Sequence, residues 1–129
     1  MGRYLLDTHT AIWFLIGVDD KLSAAARRII GSDSRPVYLS VVSGWEMAIK
    51  INIGKLRFPG NAAGFIRSAQ AWEITILPIE TAHLTALESL PLIHRDPFDR
   101  LLVATALAEK MTLVSADENI RRYDVDLVW

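Results

Sequence analysis

Residues 4–10 read YLLDTHT, an apolar run that ends abruptly on a carboxylate, Asp7. A second apolar pattern, TAIWFLI (10–16), follows it directly. The first run is typical of a buried strand and the second of a helix, with Asp7 at the turn between them. Asp7 is therefore either the N-cap of that helix or part of a site at the end of the strand.

The composition suits a compact domain and excludes several kinds of chemistry. The chain has 129 residues, which fit one domain (1–129), and 51% of them are hydrophobic. Its net charge of −1 gives no overall positive field, so binding to a polyanion needs a local patch or metal ions. There is no cysteine, which excludes disulfides and thiolate chemistry. No signal peptide or membrane-spanning run is recognised, so we expect a cytoplasmic protein.

Short β-rich runs alternate with helical patterns along the chain. The predicted strands are 3–7, 36–41, 72–79, 111–117 and 125–129. The predicted helices have Ser23, Asn61 and Asp96 as N-caps, Gly31 and Gly54 as stops, and one further helix over 80–90. This alternation predicts an α/β domain with a central, mostly parallel sheet of about five strands flanked by helices.

Four acidic residues fall where such a sheet would gather them. Asp7 and Asp117 follow the first and fourth predicted strands, Glu46 lies in the helix after the second, and Asp99 lies in the first turn of a later helix. Parallel sheets bind ligands beyond the carboxyl ends of their strands. Four ionised carboxylates there would repel one another, and a hard divalent cation such as Mg²⁺ or Mn²⁺ removes that repulsion. Such a site suits phosphodiester hydrolysis.

Glu46 is the most informative of the four because of the helix face it shares. Val42, Glu46, Ile49 and Ile53 recur at helical spacing, so the face is otherwise apolar and Glu46 is expected to point inward or into a cleft. A buried carboxylate needs a partner. Lys50, one helical turn later, is the simpler partner, and a metal ion is the alternative.

The other acids also have structural explanations. Asp99 is placed to favour the helix dipole, and with Asp96 it forms a pattern typical of a capping pair. Asp117 is equally placed to cap a helix over 118–123. For each acid alone, a role as a helix cap explains its position about as well as a role in a site. The four acids together favour a site.

Two other function classes fit part of the pattern. Receiver domains and aspartate-nucleophile phosphatases also place an aspartate after the first strand, but they need a lysine after a late strand, and no lysine follows Asp117. A non-catalytic module whose acids hold a basic peptide is the other alternative. Zinc chemistry has no support, because His9, His83 and His94 are scattered and form no zinc-binding spacing.

The ordered motifs resemble those of the PIN-domain family. LLDTHTAIWFL, YLSVVSGWEMAIKINIGKL and HRDPFDRLLVATAL, with LVSAD near the end, most closely resemble the VapC-type toxins of bacterial toxin–antitoxin modules. The resemblance spans nearly the whole chain. It implies a PIN-like three-layer domain and a Mg²⁺- or Mn²⁺-dependent endoribonuclease that acts on RNA. It also implies a cognate antitoxin that covers the pocket, and commonly a homodimer.

The resemblance assigns roles to residues by position. Its catalytic, metal-binding acids fall on Asp7, Glu46, Asp99 and Asp117. Thr8 and Ser115 match hydroxyl positions beside the first and last acids, where they would orient carboxylates or water or form local caps. Asp96 is interpreted as the N-cap of the helix that carries Asp99.

Substrate contact is expected from local cations rather than from the overall charge. The candidate RNA contacts are Arg100, Arg95 and Lys50, of which Arg100 is the first to test. The chain also has tryptophans at positions 13, 45, 72 and 129. They are sufficient for an aromatic interface, but we expect most of them to be buried in the core.

Overall fold

A five-stranded sheet forms the centre of the computed structural model, which describes residues 2–32 and 36–129 apart from the side chain of Asp19. The strands are β1 (Tyr4–Leu6), β2 (Val37–Ser40), β3 (Thr75–Leu77), β4 (Thr112–Val114) and β5 (Leu127–Val128). All pairings are parallel, in the order β3-β2-β1-β4-β5. The predicted α/β class and parallel sheet are confirmed.

Helices flank this sheet. In the described ranges they are α1 (Thr8–Ile16), α2 (Ala24–Gly31), α3 (Val41–Asn52), α4 (Ala62–Ala71), α5 (Thr81–Glu88), α6 (Pro97–Glu109) and α7 (Glu118–Arg121), with a 3₁₀ turn at Asp19–Lys21. Within residues 2–32 and 36–129, none of these helices is long and apolar enough to cross a membrane.

The core has two apolar clusters because successive strand residues point to opposite faces of the sheet. Leu6 and Val114 belong to the cluster that includes buried side chains of α1, α2 and α4. Their neighbours Leu5 and Leu113 belong to the other cluster, which is built mainly with α6. Both faces of the sheet are therefore covered, as parallel sheets require, and the result is a three-layer arrangement.

The sequence located most helix ends correctly. The side chains of Ser23, Asn61 and Asp96 all accept backbone N–H groups at the starts of α2, α4 and α6. Gly54 has a φ of 74° just beyond α3, as its predicted role as a stop requires. Gly31 was predicted to be a stop but is the last residue of α2, and Ser32 takes the C-cap position.

The third strand is shorter than the predicted 72–79. Trp72 belongs to the end of α4, where its backbone N–H donates to carbonyls of the last helical turn. Glu73 then adopts a positive φ of 61°, which is incompatible with an extended strand, so β3 begins only at Thr75. The apolar run therefore contains a helix end and a turn as well as a strand.

The strand order places a crevice where a ligand would bind. The chain builds β1, β2 and β3 outward in one direction and then returns to add β4 and β5 on the other side of β1. In parallel α/β sheets, ligands bind outside the carboxyl ends of the strands at such a reversal. Residues that follow β1, β2 and β4 are therefore brought to one edge.

Candidate active site

Asp7 occupies the N-cap position of α1, yet its side chain makes no capping hydrogen bond. Because Leu6 pairs with Val114, the next residues along the two strands, Asp7 and Ser115, lie side by side. The Ser115 hydroxyl donates to Oδ2 of Asp7 across 2.8 Å, and both residues are buried. The Asp7 carboxylate therefore does not cap α1 and is held by Ser115 instead.

Glu46 is buried in the same region, because α3 begins immediately after β2. The Thr8 hydroxyl donates to Oε1 across 2.8 Å, and the Lys50 ammonium donates to Oε2. The prediction that Glu46 points inward is confirmed, and so is its simpler partner, Lys50. The predicted face is only partly buried, however, since Val42 is enclosed whereas Ile53 is 55% exposed.

A second hydroxyl supports the Thr8–Glu46 contact. Ser43 Oγ lies 2.8 Å from Thr8 Oγ1, and both side chains are buried. Because the Thr8 hydrogen is directed to Glu46, the Ser43 hydroxyl must donate to Thr8. The orientation of the Glu46 carboxylate is thus fixed by a short chain of buried hydrogen bonds.

Asp96 and Asp99 have different roles at the start of α6. Asp96 caps the helix, accepting from the backbone N–H groups of Phe98 at 2.9 Å and Asp99 at 3.2 Å, as predicted. The Asp99 carboxylate is buried, and its Oδ2 lies 3.3 Å from Nε2 of His94. Proline at the first helical position and the Asp96 cap together fix the turn that presents Asp99.

Asp117 combines a cap with a position at the site. Its side chain accepts from the backbone N–H of Asn119 at 2.7 Å, so the predicted cap of α7 is confirmed. Its own backbone N–H donates to Ser115 Oγ at 3.0 Å, the same hydroxyl that donates to Asp7. Asp7 and Asp117 also line one cavity of about 190 Å³. Ser115 therefore connects the first and last acids of the predicted set.

The pKa values of Asp99 and Asp7 reflect both burial and the other carboxylates nearby. Burial and, to a smaller extent, four neighbouring carboxylates together raise the pKa of Asp99 to about 8; these are Asp96, Asp7, Asp117 and Glu46. Burial also raises the pKa of Asp7, against the lowering effects of the Ser115 hydrogen bond and of His9. The other three predicted acids thus all lie within electrostatic range of Asp99.

The three histidines lie in three different environments, and the sequence did not reveal that His94 contacts Asp99. His94, Asp96 and Asp99 each offer a ligand atom within 4.8 Å of the others, a spacing that could hold a metal ion. His83 is buried and pairs with Glu109 at 2.7 Å, whereas His9 lines the cavity beside Asp7. In the HRDP stretch His94 stands two residues before the N-cap Asp96, which brings it close to the start of α6.

The three candidate RNA contacts also differ. Arg95 is exposed, whereas the Lys50 ammonium is engaged by Glu46. Burial lowers the pKa of Lys50, but the hydrogen bond and charge of Glu46 outweigh burial, so the pKa is raised. The Arg100 guanidinium donates to the carbonyl of Pro91 at 2.9 Å and to the Tyr123 hydroxyl at 3.1 Å. In this arrangement Arg100 fastens the segment that precedes α6.

The tryptophans are less buried than predicted. Trp45 and Trp72 are both 56% exposed, and Trp13 and Trp129 are half-buried. Trp45 lies against Phe98 with the ring centroids 5.1 Å apart. The expectation that most of the tryptophans form the core is therefore wrong, because smaller aliphatic side chains fill both apolar clusters.

Solved structures of known proteins share this architecture. VapBC from Salmonella typhimurium, solved bound to DNA, is similar with a TM-score of 0.71 at 16% identity, covering 99% of this chain and 98% of that chain. VapBC2 from Rickettsia felis, bound to a promoter DNA fragment, has a TM-score of 0.70 at 15% identity; the match covers 97% of this chain and 96% of that chain. FitAcB from Neisseria gonorrhoeae has a TM-score of 0.60 at 18% identity; the match covers 98% of this chain and 96% of that chain.

At these identities the solved structures establish the fold and nothing finer. No curated protein matches the chain by sequence. The family model described as the PIN domain, however, matches residues 4–126, which is nearly the full length. The chain therefore belongs to the PIN-domain family.

Proposed function

We propose that this protein is a divalent-metal-dependent endoribonuclease that acts as the toxin of a toxin–antitoxin pair. The observation that carries the proposal is the convergence of buried carboxylates at the carboxyl edge of the sheet, where Asp99 has a pKa of about 8. Such crowding of like charges is costly for a purely structural cluster and is typical of a cation site. The PIN-domain match supports nuclease chemistry.

The donor set fits a hard divalent cation. Asp7, Glu46, Asp99 and Asp117 offer only carboxylate oxygens, the ligands that Mg²⁺ and Mn²⁺ prefer. These four side chains would hold the ion. A bound ion of this kind lowers the pKa of water and offsets the charge that develops on a phosphate undergoing hydrolysis.

The residues around the acids would act by fixing their orientation. Ser115 holds Asp7 through its hydroxyl, and Thr8 holds Glu46. Lys50 balances part of the charge of Glu46 and keeps one of its oxygens engaged. Asp96 caps the N-terminus of α6 and so fixes the turn that carries Asp99. Ligands held in this way need little reorganisation when a substrate arrives.

The proposed partners are RNA, a cognate antitoxin and a second copy of the chain in a homodimer. The similar solved structures are VapBC and FitAcB assemblies, which supports an antitoxin partner. Exposed apolar side chains such as Trp45 and Leu92, the latter 90% exposed, offer surface for protein contacts. We propose a cytoplasmic location and a single domain over residues 1–129.

Cleavage of RNA by the purified protein tests the proposal. With Mg²⁺ or Mn²⁺ we expect internal cleavage of labelled RNA, no cleavage of DNA of the same sequence, and loss of cleavage with EDTA. Asp7→Asn and Asp99→Asn should each abolish the activity, while Asp124→Asn, an exposed acid outside the cluster, should retain it. Cleavage that survives both active-site substitutions contradicts the assignment of the site.

A phosphoryl-accepting aspartate domain predicts a different result in the same preparation. That chemistry would give stable labelling of Asp7 by acetyl phosphate without cleavage of RNA. No residue from 115 to 129 is a lysine, so the strand β4 side of the site lacks the group that holds phosphoryl oxygens in such domains.

A further inference from the structure

A cavity of about 190 Å³ opens directly beside two of the four acids. Asp7 and Asp117 line one part of it, and His9 and Trp13 line another, with Ala116 completing the lining. The centroids of the His9 and Trp13 rings are 5.9 Å apart, with the ring planes inclined at 51°. The cavity therefore joins aromatic surface to two of the carboxylates proposed to hold the cation.

The aromatic wall of the cavity, formed by His9 and Trp13, is supported by contacts of Trp13 outside the cavity. Trp13 is half-buried, and its ring meets the ring of Trp129 edge-on, with centroids 6.2 Å apart. The same side chain packs against the apolar cluster that covers one face of the sheet. A ring that is fixed before binding loses little conformational entropy when a ligand stacks on it.

Basic groups border this aromatic wall. The Lys21 ammonium lies 5.9 Å from the centroid of the Trp13 ring, and Lys21 is exposed. His9 is also exposed, and its ring offers a hydrogen-bond donor beside Asp7. Stacking surface next to cations is the combination by which proteins bind single-stranded nucleic acid.

We propose that this cavity is a subsite for an unpaired nucleobase of single-stranded RNA, stacked on Trp13 next to the phosphate that would lie at the acid-held cation. The inference rests on the proposed nuclease function and names its substrate class. A phosphate at that cation brings the adjoining nucleotide to the mouth of the cavity, and His9 and Lys21 then meet the neighbouring backbone. Duplex RNA keeps its bases paired and stacked, so it cannot fill the cavity.

Equilibrium binding tests the subsite without relying on turnover. The probe is a short, fluorescein-labelled, single-stranded oligoribonucleotide, and anisotropy is measured with Mg²⁺ in an Asp99→Asn background that does not cleave it. Adding Trp13→Leu should weaken binding roughly 5- to 150-fold, the range expected for one base–aromatic stack. Trp13→Phe should restore most of the affinity because it retains an aromatic face.

Two controls separate stacking from a general loss of structure. Trp72 is exposed beside Phe14 and precedes β3, away from the carboxyl edge, so Trp72→Leu removes an indole without touching the cavity. Its affinity for the probe should be unchanged. His9→Ala should weaken binding several-fold while the midpoint of thermal unfolding stays the same, since His9 is exposed.

A matched series of oligonucleotides with one abasic site at each position provides the substrate side of the test. One position should show weakened binding, and Trp13→Leu should remove that difference. Binding with no sensitive position, or equal losses for Trp13→Leu and Trp72→Leu, overturns the subsite and leaves the proposed nuclease standing. If wild-type protein neither binds nor cleaves RNA, the nuclease proposal fails as well.

Discussion

Replacing Asp99 by asparagine is expected to stabilise the metal-free protein above neutral pH while it removes activity. Burial and the surrounding carboxylates raise the pKa of Asp99 from 3.8 to about 8 in the folded chain. Between these pH values the folded state retains a proton that the unfolded state has lost. The free energy of unfolding of the wild type therefore falls as the pH rises through this window. The loss of stability caused by ionising Asp99 is complete above about pH 8.

The size of the effect follows from the shift. Each unit of pKa corresponds to 1.36 kcal/mol, so a shift from 3.8 to about 8 represents at most roughly 6 kcal/mol. Part of the carboxylate faces solvent, with 12% of the side chain exposed, and screening reduces the effect. We therefore expect Asp99→Asn to be more stable than the wild type by about 3 kcal/mol near pH 8 and about equal to it near pH 4.

Urea unfolding of both proteins in EDTA at several pH values between about 4 and 8 measures this difference. Asp124→Asn serves as the matched control, because it removes an exposed carboxylate and should not alter the pH dependence. Saturating Mn²⁺ should raise the stability of the wild type more than that of Asp99→Asn. Equal stability of wild type and Asp99→Asn across the whole range would refute the clustering of charge at Asp99.

Three further substitutions probe the surrounding contacts. Ser115→Ala removes the hydrogen bond to Asp7 and should cost about 1.5–3 kcal/mol of stability, measured by urea unfolding, together with a large part of the cleavage rate. Lys50→Met leaves Glu46 without its cation, so we expect tighter Mn²⁺ binding by calorimetry, and unchanged affinity would contradict the pairing. Arg100→Met should lower the thermal unfolding midpoint by several degrees without changing the salt dependence of RNA binding, since its guanidinium holds carbonyls.

The sequence was sufficient to predict the sheet and the position of the acids at its edge, because both depend on local patterns. An apolar run that ends on Asp7 predicts a buried strand with an acid at its carboxyl end. Glu46 is recognisable because an acid on a largely apolar helix face requires a partner, and the structure supplies Thr8 and Lys50. Once the strands are parallel, their carboxyl ends must share an edge.

The remaining features depend on register and on side-chain direction, which local patterns do not encode. The pairing of Leu6 with Val114 places Ser115 against Asp7, and that pairing is known only from the folded sheet. His94 reaches Asp99 through the geometry of a capped turn. Arg100 was predicted to contact RNA, but in the structure its side chain donates to the backbone carbonyls of Pro91 and Leu90.

Proton release on metal binding is the most direct measurement of the central claim that the acid cluster holds a divalent cation. At about pH 7 Asp99 retains its proton, because its pKa is about 8, and a metal ion must displace it. Calorimetric titration with Mn²⁺ in buffers of different ionisation enthalpy should show proton release by the wild type. Asp99→Asn should bind more weakly and release nearly one proton fewer per ion. Absence of Mn²⁺ binding by the wild type, or binding without proton release, would contradict the account.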